Sequence, residues 1–597
     1  MRYPVLPIAL MLIVFFGCKK EVSTTPSDPS FSVNTFYGVG FNSGAIVAWE
    51  ISDSYTNGVE IYRSVNETFS ASNAAMIARR SAGSAHSLID TGLTNGTRYY
   101  YTIVPYHAFN DGSREVSANR TAIRITPRDH AAVAAADIRY SDHIQPLFTN
   151  GCAIHGCHGG SAEGEHMLRK RMNGSSTYSL RSWSDALAGT DHVAQIVPFR
   201  AGKSHIIQHL NTDTTVAPVA QPSMPPGFSF PVELRDLLIR WIDNGARFDD
   251  GSVAYSAMPV RGWGYVTNQG EDLTAVIDLD RHKIARYITT GVPNTAIAPP
   301  QAPHNAVVDW QNQFYYINLI GGSKLLKFRV SDNAKVGELA AGINSPAQVA
   351  LSKNSDTAYV TNFEDARTNI SVIHTPTMTK LFDIGNAAML KPHGVSVTPD
   401  FRHVLVMNSF SDNITIIRTS DNTIVATVPV SGSVPQLPIG YLFQFEPYQA
   451  AITPESRFAY ITCRKSGEVR VLDIDSRTIV DSIKVGATPL IPAITPDGGY
   501  VFVANRNSNS VSAIKTSTKK VEYTIENVGV EPHGVAVSKD GKFLYVSCEN
   551  LGVSDPPHHP TTGGKKVGFV KIIEIAKRSV VASLETGNFG SGMAVTH

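Results

Sequence analysis

The sequence predicts a multidomain, mainly β protein: a β-sandwich, then a small α-helical domain, then a seven-bladed β-propeller. Three observations predict it. From about residue 254 to the C-terminus a four-strand unit recurs with a period mostly in the forties, as in a ring of blades that bury both sheet faces against neighbours. Residues 31–127 hold short alternating apolar runs bounded by Gly, Asn, Asp or Ser, which read as sandwich strands. Between the two, over residues 137–250, apolar spacing turns helical. At 597 residues the chain is too long for one core. Its composition, 42% hydrophobic and 17% charged, excludes intrinsic disorder. Fifty-two Lys and Arg against 51 Asp and Glu leave a net charge of +1, so no basic field exists to hold nucleic acid.

The chain begins with an address. Val5 to Phe16 form an apolar run of twelve, preceded by Arg2 and followed by Gly17-Cys18-Lys19-Lys20. The run is too short to span a bilayer as a helix. A small residue directly before a cysteine resembles the lipobox of bacterial lipoproteins, with Phe15 where Leu is usual; an ordinary signal peptide is the alternative. The resemblance implies a signal peptide over 1–18, acylation of Cys18, and a bacterial cell-envelope protein that is lipid-anchored to a membrane. Lys19, rather than Asp, points by the same analogy to the outer membrane. Residues 19–30, polar with two prolines, form the tether.

In the sandwich, 31–127, the strands are Ala45–Trp49, Val59–Tyr62 and Tyr99–Val104. The segment Leu93-Thr94-Asn95-Gly96-Thr97-Arg98-Tyr99-Tyr100-Tyr101, with Trp49 as core tryptophan, resembles the tyrosine corner of fibronectin type III modules. Such a module serves as a spacer or binds a ligand.

The sharpest chemistry lies in 137–250. Cys152-Ala153-Ile154-His155-Gly156-Cys157-His158 sets two thiols before a histidine. A c-type haem needs two thiols for its vinyl groups and a following histidine for iron. The spacing is C-x4-C-H where C-x2-C-H is common. Around it, Ile144–Phe148, Cys157–Gly160, Ile196–Pro198, Met224–Gly227 and Leu238–Ala246 resemble small cytochrome c domains of bacterial envelope proteins. Independently, Leu234, Leu237, Leu238, Trp241 and Ile242 make one apolar helical stripe, started at Pro231 and stopped at Gly245. The expected cofactor is one covalent haem c, attached through Cys152 and Cys157, with His158 as proximal iron ligand. Met224, 66 residues beyond His158 in a Pro-rich loop, is the candidate sixth ligand, with His166, His192, His205 and His209 as competitors. A disulfide between the two cysteines, or zinc held by Cys152, His155, Cys157 and His158, are the other readings.

The propeller occupies 254–597. Strand starts recur at His304, Ala347, His393, Tyr448, Leu490, His533 and Ser591, so seven blades are expected. The last start has one strand after it and the first unit lacks its opening strand, so the C-terminus should complete blade one. Tyr265-Val266-Thr267-Asn268 and Tyr359-Val360-Thr361-Asn362 resemble the signature of the YVTN propeller family over some 340 residues. Cys463 and Cys548 take the Asn position in blades five and seven; blade six separates them, so unpaired thiols are expected.

His304, His393 and His533 all begin the innermost strand and share the top face with the long insertions 431–446 and 553–566. A metal or ligand site at the mouth is one reading. The other is that each histidine bonds the backbone of the next blade, since ring positions two, four and seven are not adjacent. The haem domain enters the ring near Asp249 to Ser252 with barely a linker, and docking on the top face is expected. Three functions follow as alternatives. The first is an electron-transfer lipoprotein that passes single electrons to an envelope redox partner protein, the propeller serving for docking. The second is a periplasmic oxidoreductase with a substrate or metal at the mouth and the haem as relay, analogous to eight-bladed nitrite reductases. The third is a non-redox surface adhesin. No phosphate loop, nucleophile elbow or carboxylate pair is placed by the sequence.

Overall fold

The computed structural model describes residues 31–597 apart from 34, 52–53, 73–74, 82–85, 132, 153–177, 191–193, 222, 225–228, 292–300, 433–442, 553–554, 558–560 and 562–565. The expected anchor at Cys18, the tether, and His155, Cys157, His158, His166 and His192 lie outside the described residues. Among those described, no helix is long and apolar enough to cross a membrane. The protein is mainly β, built from antiparallel sheets with a few short helices.

Among the described residues eight strands come first: β1 (Thr35–Phe41), β2 (Gly44–Glu50), β3 (Gly58–Ser64), β4 (Met76–Ser81), β5 (Ser87–Thr91), β6 (Tyr99–Ala108), β7 (Arg114–Val116) and β8 (Thr121–Ile125). They form two sheets, β1-β2-β5 and β4-β3-β6-β7, with β8 also on β6. Inward residues of both sheets, among them Trp49, Val59, Ile61, Tyr101 and Ile103, make one core. The Tyr99 phenol oxygen accepts the Thr94 N–H at 3.0 Å and ties the corner before β6.

Among the described residues four short helices follow: α1 (Gln145–Gly151), α2 (Trp183–Ala188), α3 (His205–Leu210) and α4 (Val232–Asp243). The apolar stripe of α4 is buried along its whole length, because residues three and four apart fall on one helix face. Pro231 stands one place before the first turn, and Gly245, at φ +101°, turns the chain away with its N–H on the Ile242 carbonyl at 2.8 Å. A φ of that sign costs a Cβ-bearing residue strain, so glycine suits the stop. The helical core extends to Val39 and Ile46 of the first sheet pair, and Glu233 at the start of α4 accepts the His130 N–H at 2.9 Å.

The remaining strands form seven four-stranded sheets. We name the strands of each blade A to D outward from the axis. In blade one, strand A is the C-terminal Gly590–Val595, paired with strand B, Trp263–Asn268. The last strand therefore closes the ring, as the repeat phase requires. Strands A of the other blades begin at Pro303, Pro346, Pro392, Pro447, Pro489 and Pro532. Each packs on the next around a closed circle, and Gly590–Val595 touches those of blades two and seven. The threonine of the YVTN signature has a specific task. Thr267 donates its hydroxyl to the His304 carbonyl at 3.0 Å, and Thr361 to the His393 carbonyl at 2.9 Å, so strand B of one blade latches strand A of the next. Cys463 and Cys548 are free, fully buried thiols, and burial pushes both up, Cys548 to about 12.

Candidate functional site

Every strand A is entered in the same way. A residue with left-handed φ, Ala302 at +53°, Lys391 at +50° and Glu531 at +56°, precedes a proline, or Gly590 in blade one after Phe589 at +59°, and the next side chain takes an equivalent place at the start of the strand. The turn before His304 is held by Asp272, whose carboxylate accepts the Gln301 and Ala302 N–H groups at 3.0 and 2.9 Å. These repeats set His304, His393 and His533 at equivalent positions, all buried.

The three rings meet. The His304 ring centroid lies 5.5 Å from that of His393 and 5.6 Å from that of His533, and the Nε2 atoms of His304 and His393 are 3.3 Å apart. The expectation that non-adjacent blades keep them apart is corrected by what stands between. Ala347 holds the equivalent position in blade three and Ser591 in blade one, and side chains this small let imidazoles from second-neighbour blades reach over them. On a seven-membered circle blades seven and two are also separated only by blade one.

Each Nδ1 has its own partner. His533 Nδ1 is 2.6 Å from Glu549 Oε1, His393 Nδ1 is 3.1 Å from the Tyr448 carbonyl, and His304 Nδ1 is 2.9 Å from the Gln269 side-chain amide. Only His393 therefore bonds the backbone of the next blade. Tyr448 stacks on His393 at 3.7 Å, and its hydroxyl is 3.4 Å from His533 Nε2. Arg506 Nη2 reaches Glu549 at 2.6 Å.

The electrostatics follow from burial. Desolvation drives His304 down to about 3 and His393 well below the usual imidazole range, with the neighbouring imidazoles adding to both. Both are neutral at physiological pH. Burial opposes ionisation of Glu549, but hydrogen bonds and charge from His533 and Arg506 outweigh it and hold the carboxyl at about 2. The carboxylate is thus a fixed anion behind a ring of imidazoles.

Sequence reasoning missed Gln269, Tyr448, Arg506 and Glu549. A signal for most of them exists: Gln269, Phe363, Arg464, Arg506 and Glu549 each follow the Asn position of the signature, where strand B ends beside the axis. Phe363 stands edge-on to His393 at 4.8 Å, and Arg464 lies over Tyr448 at 5.5 Å. Ends of strands B form a layer behind the starts of strands A. Among the described residues, no group of three or more His, Cys, Asp or Glu already stands in a metal-holding arrangement.

In the helical segment, Cys152 closes α1 with its N–H on the Phe148 carbonyl at 2.9 Å. Its side chain is half-buried. The Met224 N–H is fixed to the His209 carbonyl at 2.9 Å. Cys152 and Met224 both pack on the core that contains Trp241 and Phe148, so residues distant in sequence border one apolar cluster.

This segment seats at the rim of the ring rather than over its mouth. Ala194 and Val197 pack among residues of blades one and seven, such as Tyr287 and Leu584. Lys203 pairs with Glu271, on a top loop, at 2.8 Å, and Arg200 donates to the Thr289 hydroxyl. A cavity of about 520 Å³ lies in this seam, bordered by Arg200, Lys203, His205, Asp243, Tyr287 and Glu585.

A family model described as "Lactonase, 7-bladed beta-propeller" matches residues 386–553, from the turn before blade four into blade seven. Among curated proteins, Antigen Lp49 of Leptospira interrogans is 27% identical over 134 residues, 22% of this chain and 28% of that protein. Hydrazine synthase subunit beta of Kuenenia stuttgartiensis is 28% identical over 134 residues, 18% of this chain and 32% of that protein. The matches thus span about a third or less of these two relatives' own length. Among solved structures, Kuenenia stuttgartiensis hydrazine synthase superposes with a TM-score of 0.43 at 16% identity, covering 53% of this chain and 94% of that one. The seven-bladed propeller of the matched model is the architecture that the closed ring of this chain displays.

Proposed function

We propose that this protein is an envelope-anchored c-type cytochrome that carries single electrons, with the propeller as its docking platform. A c-type haem supplies reversible one-electron transfer at iron. Cys152 and Cys157 would hold it by thioether bonds, His158 would be its proximal ligand and Met224 its distal ligand. The observation that carries this reading is that Cys152 and Met224 border the same apolar cluster, walled by Trp241 of α4. The donor set fits the group: a cysteine sulfur for attachment, a neutral soft sulfur for iron, and an apolar wall for a flat macrocycle. Cys18 acylation would hold the protein at the membrane, outer-membrane attachment being the proposed location, and an envelope redox protein would be its partner. The rim seat, with Lys203 on Glu271, would fix the helical unit to the ring and leave the mouth clear for that partner.

The converging histidines favour a second reading, a periplasmic oxidoreductase in which the axial cluster takes the substrate or a metal and the haem drains its electrons. Expression with haem-maturation machinery tests the first. Covalent attachment adds ~616 Da to the peptide that holds Cys152 and Cys157, with a haemochrome spectrum to match. An unmodified peptide from that host would refute the redox readings and leave the adhesin.

A further inference from the structure

We propose that His304, His393 and His533 form a binding site for one late first-row transition metal ion, Zn²⁺ or Cu²⁺, on the propeller axis, through their three Nε2 atoms. The inference does not depend on a haem elsewhere in the chain.

Hydrogen-bond chemistry fixes which nitrogens are free. A carbonyl oxygen only accepts, so the contact from the Tyr448 carbonyl requires the His393 proton on Nδ1 and leaves Nε2 a bare lone pair. The Glu549 carboxylate likewise takes up His533 Nδ1, which leaves Nε2 as that ring's nitrogen for a metal. For His304 the Gln269 amide nitrogen faces Nδ1, so the proton sits on Nε2 and is shared with His393 Nε2 across 3.3 Å. Turning the Gln269 amide by half a rotation presents its oxygen instead, moves that proton to Nδ1 and frees the third lone pair. Carboxylate and backbone carbonyl acceptors behind ligand histidines orient metal sites in this way, and carboxylate–histidine pairs raise ligand basicity.

Distance agrees. Ligand bonds of roughly 2.0–2.1 Å at the tetrahedral angle put two nitrogens roughly 3.3 Å apart, the separation of the His304 and His393 Nε2 atoms. Among the described residues no trio already stands in a metal-holding arrangement, so the ring of His533, 5.6 Å from that of His304, would complete the set by turning on its Glu549 hydrogen bond. Three imidazole nitrogens without thiolate or carboxylate select Zn²⁺ or Cu²⁺ over Mg²⁺ or Ca²⁺. They leave a fourth position, beside the Tyr448 hydroxyl, open to water or a small anion, the coordination pattern of a Lewis-acid site rather than a closed structural one.

The test loads the full chain with Zn²⁺ or Cu²⁺ separately, removes excess by gel filtration and counts metal by mass spectrometry. Wild type retains one equivalent more than His304→Gln or His393→Gln, a difference that cancels metal held by cysteines elsewhere. Glu549→Gln keeps the fold and weakens uptake about 10–100-fold. Equal retention by wild type and both histidine variants, each folded by circular dichroism, overturns the proposal. Should the variants not fold, X-ray absorption of Zn²⁺-loaded wild type decides: imidazole scattering from three nitrogens supports the site, and a ligand set dominated by sulfur, or no retained metal, overturns it.

Discussion

Trp241→Ala is the change that most directly probes the apolar wall of the helical unit. Trp241 is 1% exposed, with ring centroids 5.8 Å from Tyr140 and 6.5 Å from Phe148. Its indole N–H donates to the Arg247 carbonyl at 2.9 Å. Truncating a buried Trp to Ala costs about 3–5 kcal/mol from lost transfer and cavity, and the lost hydrogen bond adds about 1 kcal/mol. A total of about 4–6 kcal/mol rivals the whole stability of a small unit, about 5–15 kcal/mol. With an m of about 1.5 kcal/mol/M in urea, the helical transition falls by about 3 M. The assay is urea titration of haem-free protein, read by alkylation of Cys152 and quantified at its peptide, since Cys463 and Cys548 are sealed in the ring. Trp241→Phe, which keeps an aromatic wall, should cost about 1–2 kcal/mol. A shift below about 0.5 M for the alanine variant refutes the assignment of α4 as that wall.

Ala347→Leu leaves every proposed ligand in place but puts a larger side chain between His304 and His393. It should cost about 1–3 kcal/mol of propeller stability and abolish the metal equivalent, and undiminished uptake in titration calorimetry contradicts convergence over small residues. Ending the chain at Asn588 removes the strand that pairs with Trp263–Asn268, and calorimetry should then show no cooperative propeller transition; a Tm within about 2 °C of wild type refutes closure by this strand. In the first sandwich, burial opposes ionisation of Glu60, but the Tyr62 hydrogen bond and the Arg79 and Arg114 guanidinium groups hold its pKa below the usual 4.5. A depressed carboxylate stabilises the fold above its unfolded value and loses that contribution as pH falls through the folded one. Stability of this unit should therefore drop below about pH 4.5 in wild type and less so in Glu60→Gln, and identical pH profiles by denaturant titration refute the role.

Much of the architecture was legible because it repeats. Proline-led strands A, the signature before each strand C and the unpaired last strand each impose a local rule that one chain displays several times. The helix α4 was legible because five apolar residues at helical spacing admit one buried face. The site was half legible. His304, His393 and His533 stand out at matching repeat positions, but their meeting depends on Ala347 and Ser591, whose importance is their smallness. Gln269 and Glu549 lie just past the ends of other strands, and which nitrogen each one fixes is a matter of three-dimensional geometry that no spacing encodes. The rim seat escaped too, since Ala194, Val197 and Tyr287 carry no pattern that names a partner surface.

Closure by Gly590–Val595 also dictates a schedule. Met593 pairs with Val266, a residue that leaves the ribosome more than half the chain earlier, and contacts this distant in sequence form late because of the entropy of bringing their ends together. The sandwich and helices can mature while blade one still waits for its innermost strand. The surface on which the helical unit rests therefore takes its final shape last, and a chain stalled before its final ten residues presents the unpaired edge of Trp263–Asn268 to the cell's proteases.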